Sequence, residues 1–136
     1  MSAFSPEEID YLRGQRLGRL ATVGRNGQPH VVPVGFRYNP EQDAIEIGGH
    51  GLTASKKYRD VLRHPRVAFV VDDVVSVQPW RVRGIEIRGE AEALPMGGKA
   101  IMPTLDDELL RIRPQRVRSW GLHDGGRGSS GARAGG

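Results

Sequence analysis

The segment Gln28–Tyr38 constrains the fold more than any other. Its residues alternate with period two: His30, Val32, Val34, Phe36 and Tyr38 fall on one face, and Val31, Pro33, Gly35 and Arg37 on the other. That period is a strand's. Pro33 has no N–H to give a ladder, so the strand needs an unpaired stretch or an exposed edge. Asn26-Gly27 just before it favours a hairpin turn, which makes Arg16–Val23 the antiparallel neighbour. Ala44–Gly48, Val67–Asp72, Val75–Val82 and Gly84–Leu94 also read as strands, the last two separated at Gly84. Asp106–Trp120 holds the last ordered element, divided by Pro114. Ser5, Pro6 and Glu8 spell a capped helix start with Phe4 and Ile9 at the staple positions, and this helix should run to about residues 14–16. A second helix, capped near Thr53 or Ser55, should bury Tyr58, Val61 and Leu62 and stop at Pro65. Residues 95–103 read as irregular, with room for one short helical turn. Six or seven strands, two helices and hairpin connections predict a mainly β protein: a small antiparallel barrel with flanking helices.

The 136 residues suffice for one domain, expected over 1–121. Residues 122–136 are glycine-rich with one large apolar side chain, Leu122, and are expected to form a flexible tail. There is no cysteine, which excludes disulfides, thiolate metal sites and a cysteine nucleophile. The longest apolar run, Val67–Val71, is too short to span a membrane. The first residues do not read as a secretory signal, and a cytoplasmic protein is expected.

The net charge of +4 is less informative than its make-up: 17 arginines and only three lysines, Lys56, Lys57 and Lys99. Two of those lysines are adjacent, in Ile47-Gly48-Gly49-His50-Gly51-Leu52-Thr53-Ala54-Ser55-Lys56-Lys57. This segment runs from a strand through a glycine turn into a hydroxyl-capped helix start. Exposed N–H groups, the helix dipole, Thr53, Ser55 and two ammonium groups all favour an anion such as a phosphate. The pattern is not a Walker motif. The same residues would also make an ordinary turn, ordinary caps and solvated lysines. A second candidate is the side-chain-poor face Val31, Pro33, Gly35, which could floor a flat ring or simply protect an edge strand.

Little else suggests chemistry. His30, His50, His64 and His123 lack metal-ligand spacing, and no metal site is expected. No Ser–His–acid or paired-carboxylate arrangement can be drawn, so no catalytic residue is assigned. Arg111, Arg113, Arg116 and Arg118 read as a solvent face or a basic stripe. No aromatics interleave with them as a single-strand nucleic-acid surface would need, which argues against nucleic acid as partner.

Leu20–Val23, Gly27–Phe36, Thr53–Asp60, His64–Ala68, Arg83–Ala91, Ile112–Pro114 and Arg116–Gly121 together carry a resemblance. The chain resembles the pyridoxamine-phosphate-oxidase-like split β-barrel flavoproteins, and among them the actinobacterial branch that uses the deazaflavin coenzyme F420. The resemblance implies a homodimer with cofactor sites at the subunit interface. It implies that His30, Val31, Val32, Pro33, Val34 and Gly35 lie along the tricyclic ring, and that Thr53, Ser55, Lys56 and Lys57 hold the cofactor phosphate. The implied activity is F420-dependent hydride transfer to a small organic acceptor. The alternatives are an FMN-dependent oxidase or reductase of the same fold, a non-catalytic flavin- or F420-binding protein, and a small barrel that binds RNA through its C-terminal arginines. The arginine-rich motifs of the pyridoxal-phosphate-forming enzymes are missing, which argues against pyridoxamine phosphate as substrate. An acidic F420 tail would want a cationic channel, for which Arg59, Arg81, Arg83 and Arg88 are candidates, and Trp80 is placed to reach a partner's site.

Overall fold

The computed structural model describes residues 1–122 and 132–134. The chain forms α1 (Pro6–Arg13), β1 (Leu17–Val23), β2 (Pro29–Gly35), β3 (Arg37–Asn39), β4 (Ala44–Ile47), a 3₁₀ turn (Leu52–Ala54), α2 (Lys56–Arg63), β5 (Arg66–Ser76), β6 (Arg81–Leu94), α3 (Gly98–Ile101), β7 (Leu109–Trp120) and β8 (Ala132–Ala134). The strands form one antiparallel sheet in the order β2-β1-β5-β6-β7-β4-β3, with β8 paired to β7. The sheet curls into a split barrel around Leu20, Phe69, Val71, Ile85, Ile87, Ile112 and Val117, all at most 1% exposed. Burying each such side chain contributes on the order of 2 kcal/mol.

Two helices with legible starts pack on the barrel, α1 against β3 and α2 against β1 and β6. Ser5 and Glu8 form a reciprocal capping box, with Pro6 in the first turn. Tyr11 and Leu12 then face the core. Buried Glu8 also accepts a hydrogen bond from the Ser119 hydroxyl, which joins α1 to β7.

Several elements differ from the pattern in the sequence. The long second strand breaks at Phe36: β2 pairs with β1, whereas β3 turns to pair with β4. Gly84 does not divide two strands. It lies inside a continuous β6 because an added Cβ would stand 2.5 Å from the Trp120 ring, so its lack of a side chain serves close packing. Val75–Ser76 instead ends β5, and residues 77–80 make the turn, with a cis Gln78–Pro79 peptide. Pro114 sits within β7 at a register shift opposite Arg88 and Gly89, where a bulge tolerates the missing N–H. Leu62 faces outward at 66% exposure, leaving Val61 as the buried anchor of α2. Of the expected tail, Ala132–Ala134 is a short strand on β7, and 123–131 and 135–136 lie outside the described residues.

Candidate functional site

β2 is an edge strand, one of the two ways of accommodating Pro33: its ladder runs from Leu17↔Gly35 to Val23↔Pro29, and no strand among the described residues pairs with its other side. Its two faces differ. Val31, Pro33 and Gly35 are exposed, Val31 at 65%. His30 and Val32 are half-buried and Val34 is buried on the opposite, inward face. Cross-strand registers continue the exposed floor from Val31 to Ala21 of β1 and Ala68 of β5. Ala21 and Ala68 were not singled out in the sequence. They line a cavity of about 340 Å³ with Val23, Pro29, Arg66 and Arg88.

The glycine turn does hold an anion, but one from this chain. Gly51 adopts the left-handed conformation (φ 65°), which turns the backbone so that its N–H donates to Asp106 Oδ2 at 2.6 Å. The Leu52 N–H donates to the same oxygen at 3.3 Å. The cradle expected from the glycines is thus filled by a carboxylate 55 residues away in sequence. No local signal could have shown this.

The helix start after it is built differently. Ser55 caps α2 by accepting from the Tyr58 N–H, while its hydroxyl donates to the Leu52 carbonyl. The hydroxyl proton is therefore committed within the cap. Thr53 is exposed. Lys56 turns toward β1, where Nζ donates to Asp60 Oδ1 at 3.1 Å. Asp60 is buried and also accepts from Thr22 Oγ1 at 2.8 Å. Burial alone would push the Asp60 carboxyl up, but the hydrogen bonds from Thr22 and Lys56 outweigh it and hold the group below its ordinary range. Asp60 and Thr22 were missed in the sequence, although the Lys56–Asp60 spacing of four is that of a helical ion pair.

Lys57 has the opposite surroundings. It lies one turn before the buried Val61, on the inward stripe of α2. Its amine is half-buried, and no carboxylate among the described residues pairs with it. Burial lowers its pKa below that of a free lysine. A cation in that state gains from an incoming anion, and the open first turn of α2 adds backbone N–H groups.

The Asp60–Thr22 bond also brings α2 to β2, because Thr22 is the cross-strand partner of His30. His30 Nδ1 is buried there with no hydrogen-bond partner among the described residues. The structure therefore joins Lys57, the α2 start and the His30 end of β2 in one neighbourhood. Within the same segment, Lys56 is bonded to Asp60 and the Gly51 N–H to Asp106. Of the four arginines considered for a cationic channel, Arg83 is bound to Asp73, with Nε 2.8 Å from Oδ1. Arg88 approaches Glu86 at 3.5 Å, while Arg59 and Arg81 are exposed. Trp80 stands 64% exposed on the β5–β6 turn beside Val74, Val75 and Val77. Among the described residues, no helix is long and apolar enough to cross a membrane.

By fold, the chain is a mainly β split antiparallel barrel. Comparison with known proteins agrees on the class. Residues 5–121 match the family model described as pyridoxamine 5'-phosphate oxidase, and the chain belongs to this pyridoxamine-phosphate-oxidase-like family. It is 50% identical over 119 residues to the 5a,11a-dehydrotetracycline/5a,11a-dehydrooxytetracycline reductase of Streptomyces rimosus subsp. rimosus, covering 88% of this chain and 84% of that one. Its fold is similar to that of a conserved hypothetical protein of Mycobacterium tuberculosis (TM-score 0.69, 24% identity, 86% of this chain and 84% of that one). It is also similar to that of an FAD-binding protein of Mesorhizobium loti (TM-score 0.63, 24% identity, 85% and 91%).

Proposed function

We propose that the protein is a cytoplasmic reductase that uses coenzyme F420 to reduce an electron-poor double bond in a small organic acceptor. The carrying observation is Lys57: a half-buried lysine without a carboxylate partner among the described residues, at a helix start beside an edge strand. That arrangement fits a cofactor phosphate. The relative named as a dehydrotetracycline reductase supports the reaction class and suggests a polycyclic, carbonyl-conjugated acceptor.

When bound, reduced F420 supplies the hydride. The chain's own residues bind and orient. Lys57 and the α2 N–H groups hold the phosphate, with Thr53 exposed beside them and Ser55 fixing the helix start. Asp60 keeps Lys56 out of the site, and β2 from His30 to Gly35 lies along the ring. Exposed Leu17, Val31, Val74, Val75, Val77 and Trp80 support a homodimer that covers the ring's open side. FMN remains the second reading, because Lys57 recognises a phosphate and both cofactors carry one.

The test mixes the purified protein with reduced F420 and a panel of polycyclic enones, and follows oxidation of the cofactor by absorbance. Acceptor-dependent oxidation supports the reading. Oxidation only with reduced FMN moves the protein to the FMN reading, and binding of neither cofactor rejects both.

A further inference from the structure

Away from Lys57, the outer face of the sheet carries an uncompensated cluster of arginines. Arg88 of β6 and Arg116 of β7 are direct cross-strand partners, and the next pair on that face is Glu86 with Arg118. All three arginines are exposed. Like charges directly opposite each other destabilise a sheet. The other β7 arginines are neutralised: Arg111 binds Glu46 at 2.8 Å and Arg113 binds Glu92 at 2.7 Å. Arg116 and Arg118 have no such side-chain partner among the described residues. Glu86 is the one acid in the cluster, and its nearest contact there is Arg88 at 3.5 Å. Three positive groups therefore face one negative group.

The cluster has a shape as well as a charge. Glu86, Arg88, Arg116, Val117 and Arg118 line a notch of about 200 Å³. It adjoins a cavity of about 460 Å³ walled by Val70, Glu86, Arg118 and Trp120.

We propose that the Arg88–Arg116–Arg118 notch binds a small oligoanion, a molecule bearing two or more carboxylates or phosphates. Guanidinium groups suit such ligands because their paired N–H donors match the oxygens of both. The size of the notch and the single aromatic beside it favour a small molecule over a nucleic-acid strand, which needs successive stacking platforms. The oligoanion has two sources: the acidic tail of the cofactor in the proposed function, or a separate metabolite. Only the first rests on that function.

Calorimetric titration with tripolyphosphate tests the notch without the cofactor. The intact protein should bind it, weakening as salt rises, and the Arg116→Gln/Arg118→Gln variant should bind about tenfold more weakly or worse. Because the substitution also relieves repulsion, that variant should melt no lower than the intact protein while losing the rise in Tm caused by tripolyphosphate. Arg25→Gln/Arg63→Gln makes the same change in charge elsewhere and should bind normally. Prior saturation with F420 separates the sources: blocked binding assigns the notch to the cofactor tail, and unchanged binding to another oligoanion. Equal losses in the two double variants, or no binding by the intact protein, would overturn the proposal. So would much tighter, steeply salt-dependent binding of a single-stranded RNA oligonucleotide.

Discussion

Lys56 Nζ lies 3.1 Å from the buried carboxylate of Asp60, while the adjacent Lys57 has no carboxylate partner among the described residues. Helical geometry separates them: positions 56 and 60 share a face turned to β1, whereas 57 and 61 share the face turned to the core. One lysine is tied into the fold, and the proposed function assigns the other to a ligand.

Burial lowers the Lys57 pKa, so the folded state binds that proton less tightly than the unfolded chain. Stability should therefore rise as pH climbs through the lowered folded pKa toward the ordinary lysine value. Lys57→Met should raise the neutral-pH urea midpoint and remove that alkaline rise. An unchanged pH slope in the variant would show that the amine is not held at a disadvantage.

Asp60→Ala would strand the Lys56 ammonium and the buried Thr22 hydroxyl. A loss of about 1–3 kcal/mol is expected from equilibrium unfolding, chiefly because the buried Thr22 hydroxyl loses its acceptor. Lys56→Met should cost less, because Lys56 is partly exposed and the Thr22 bond to Asp60 survives. A larger loss in Lys56→Met than in Asp60→Ala would contradict this order.

Glu46 joins β4 to both of its neighbours. It is fully buried and accepts from Arg37 at 2.8 Å, Asn39 at 3.0 Å and Arg111 at 2.8 Å. Burial alone would push its carboxyl up, but these donors outweigh it and hold the pKa down. Its stabilisation should be complete above the ordinary glutamate range and disappear as pH falls through the lowered folded pKa. Glu46→Gln should lower the Tm at neutral pH and flatten its decline in acid. Parallel acid curves for the two proteins would exclude this role.

Asp106→Ala should cost about 1–3 kcal/mol by removing the acceptor of two N–H groups. It should also open the Gly51 turn to an external anion. Phosphate should then raise the Tm of the variant more than that of the intact protein. Equal phosphate responses would show that the turn closes another way.

The legible parts of the fold were local. Ser5-Pro6-Glu8 specified the first cap, Asn26-Gly27 the hairpin, and Pro33 an edge strand, because each acts through its own backbone. Gly84 and Pro114 misled because both read as breaks. Gly84 instead makes room for Trp120, 36 residues on, and Pro114 is absorbed by a bulge. The site followed the same rule. Charge and capping near residues 53–57 pointed to an anion, yet the Gly51 turn is met by Asp106, whose carboxylate arrives through tertiary packing, while Lys56 is met by Asp60 one helical turn on, held in place by Thr22 of β1. Leu62 failed because α2 buries Asp60 and Val61 and turns the next position outward.

The central claim is that Lys57 anchors a phosphate-bearing cofactor, with F420 preferred. The most direct measurement is fluorescence titration of the intact protein with F420 and with FMN, repeated for Lys57→Ala and Lys99→Ala. The account predicts F420 binding with little response to FMN. It predicts a loss of affinity of about tenfold or more in Lys57→Ala and nearly none in Lys99→Ala. Equal affinities in the two variants would contradict the assignment of Lys57, and a preference for FMN would contradict the choice of cofactor.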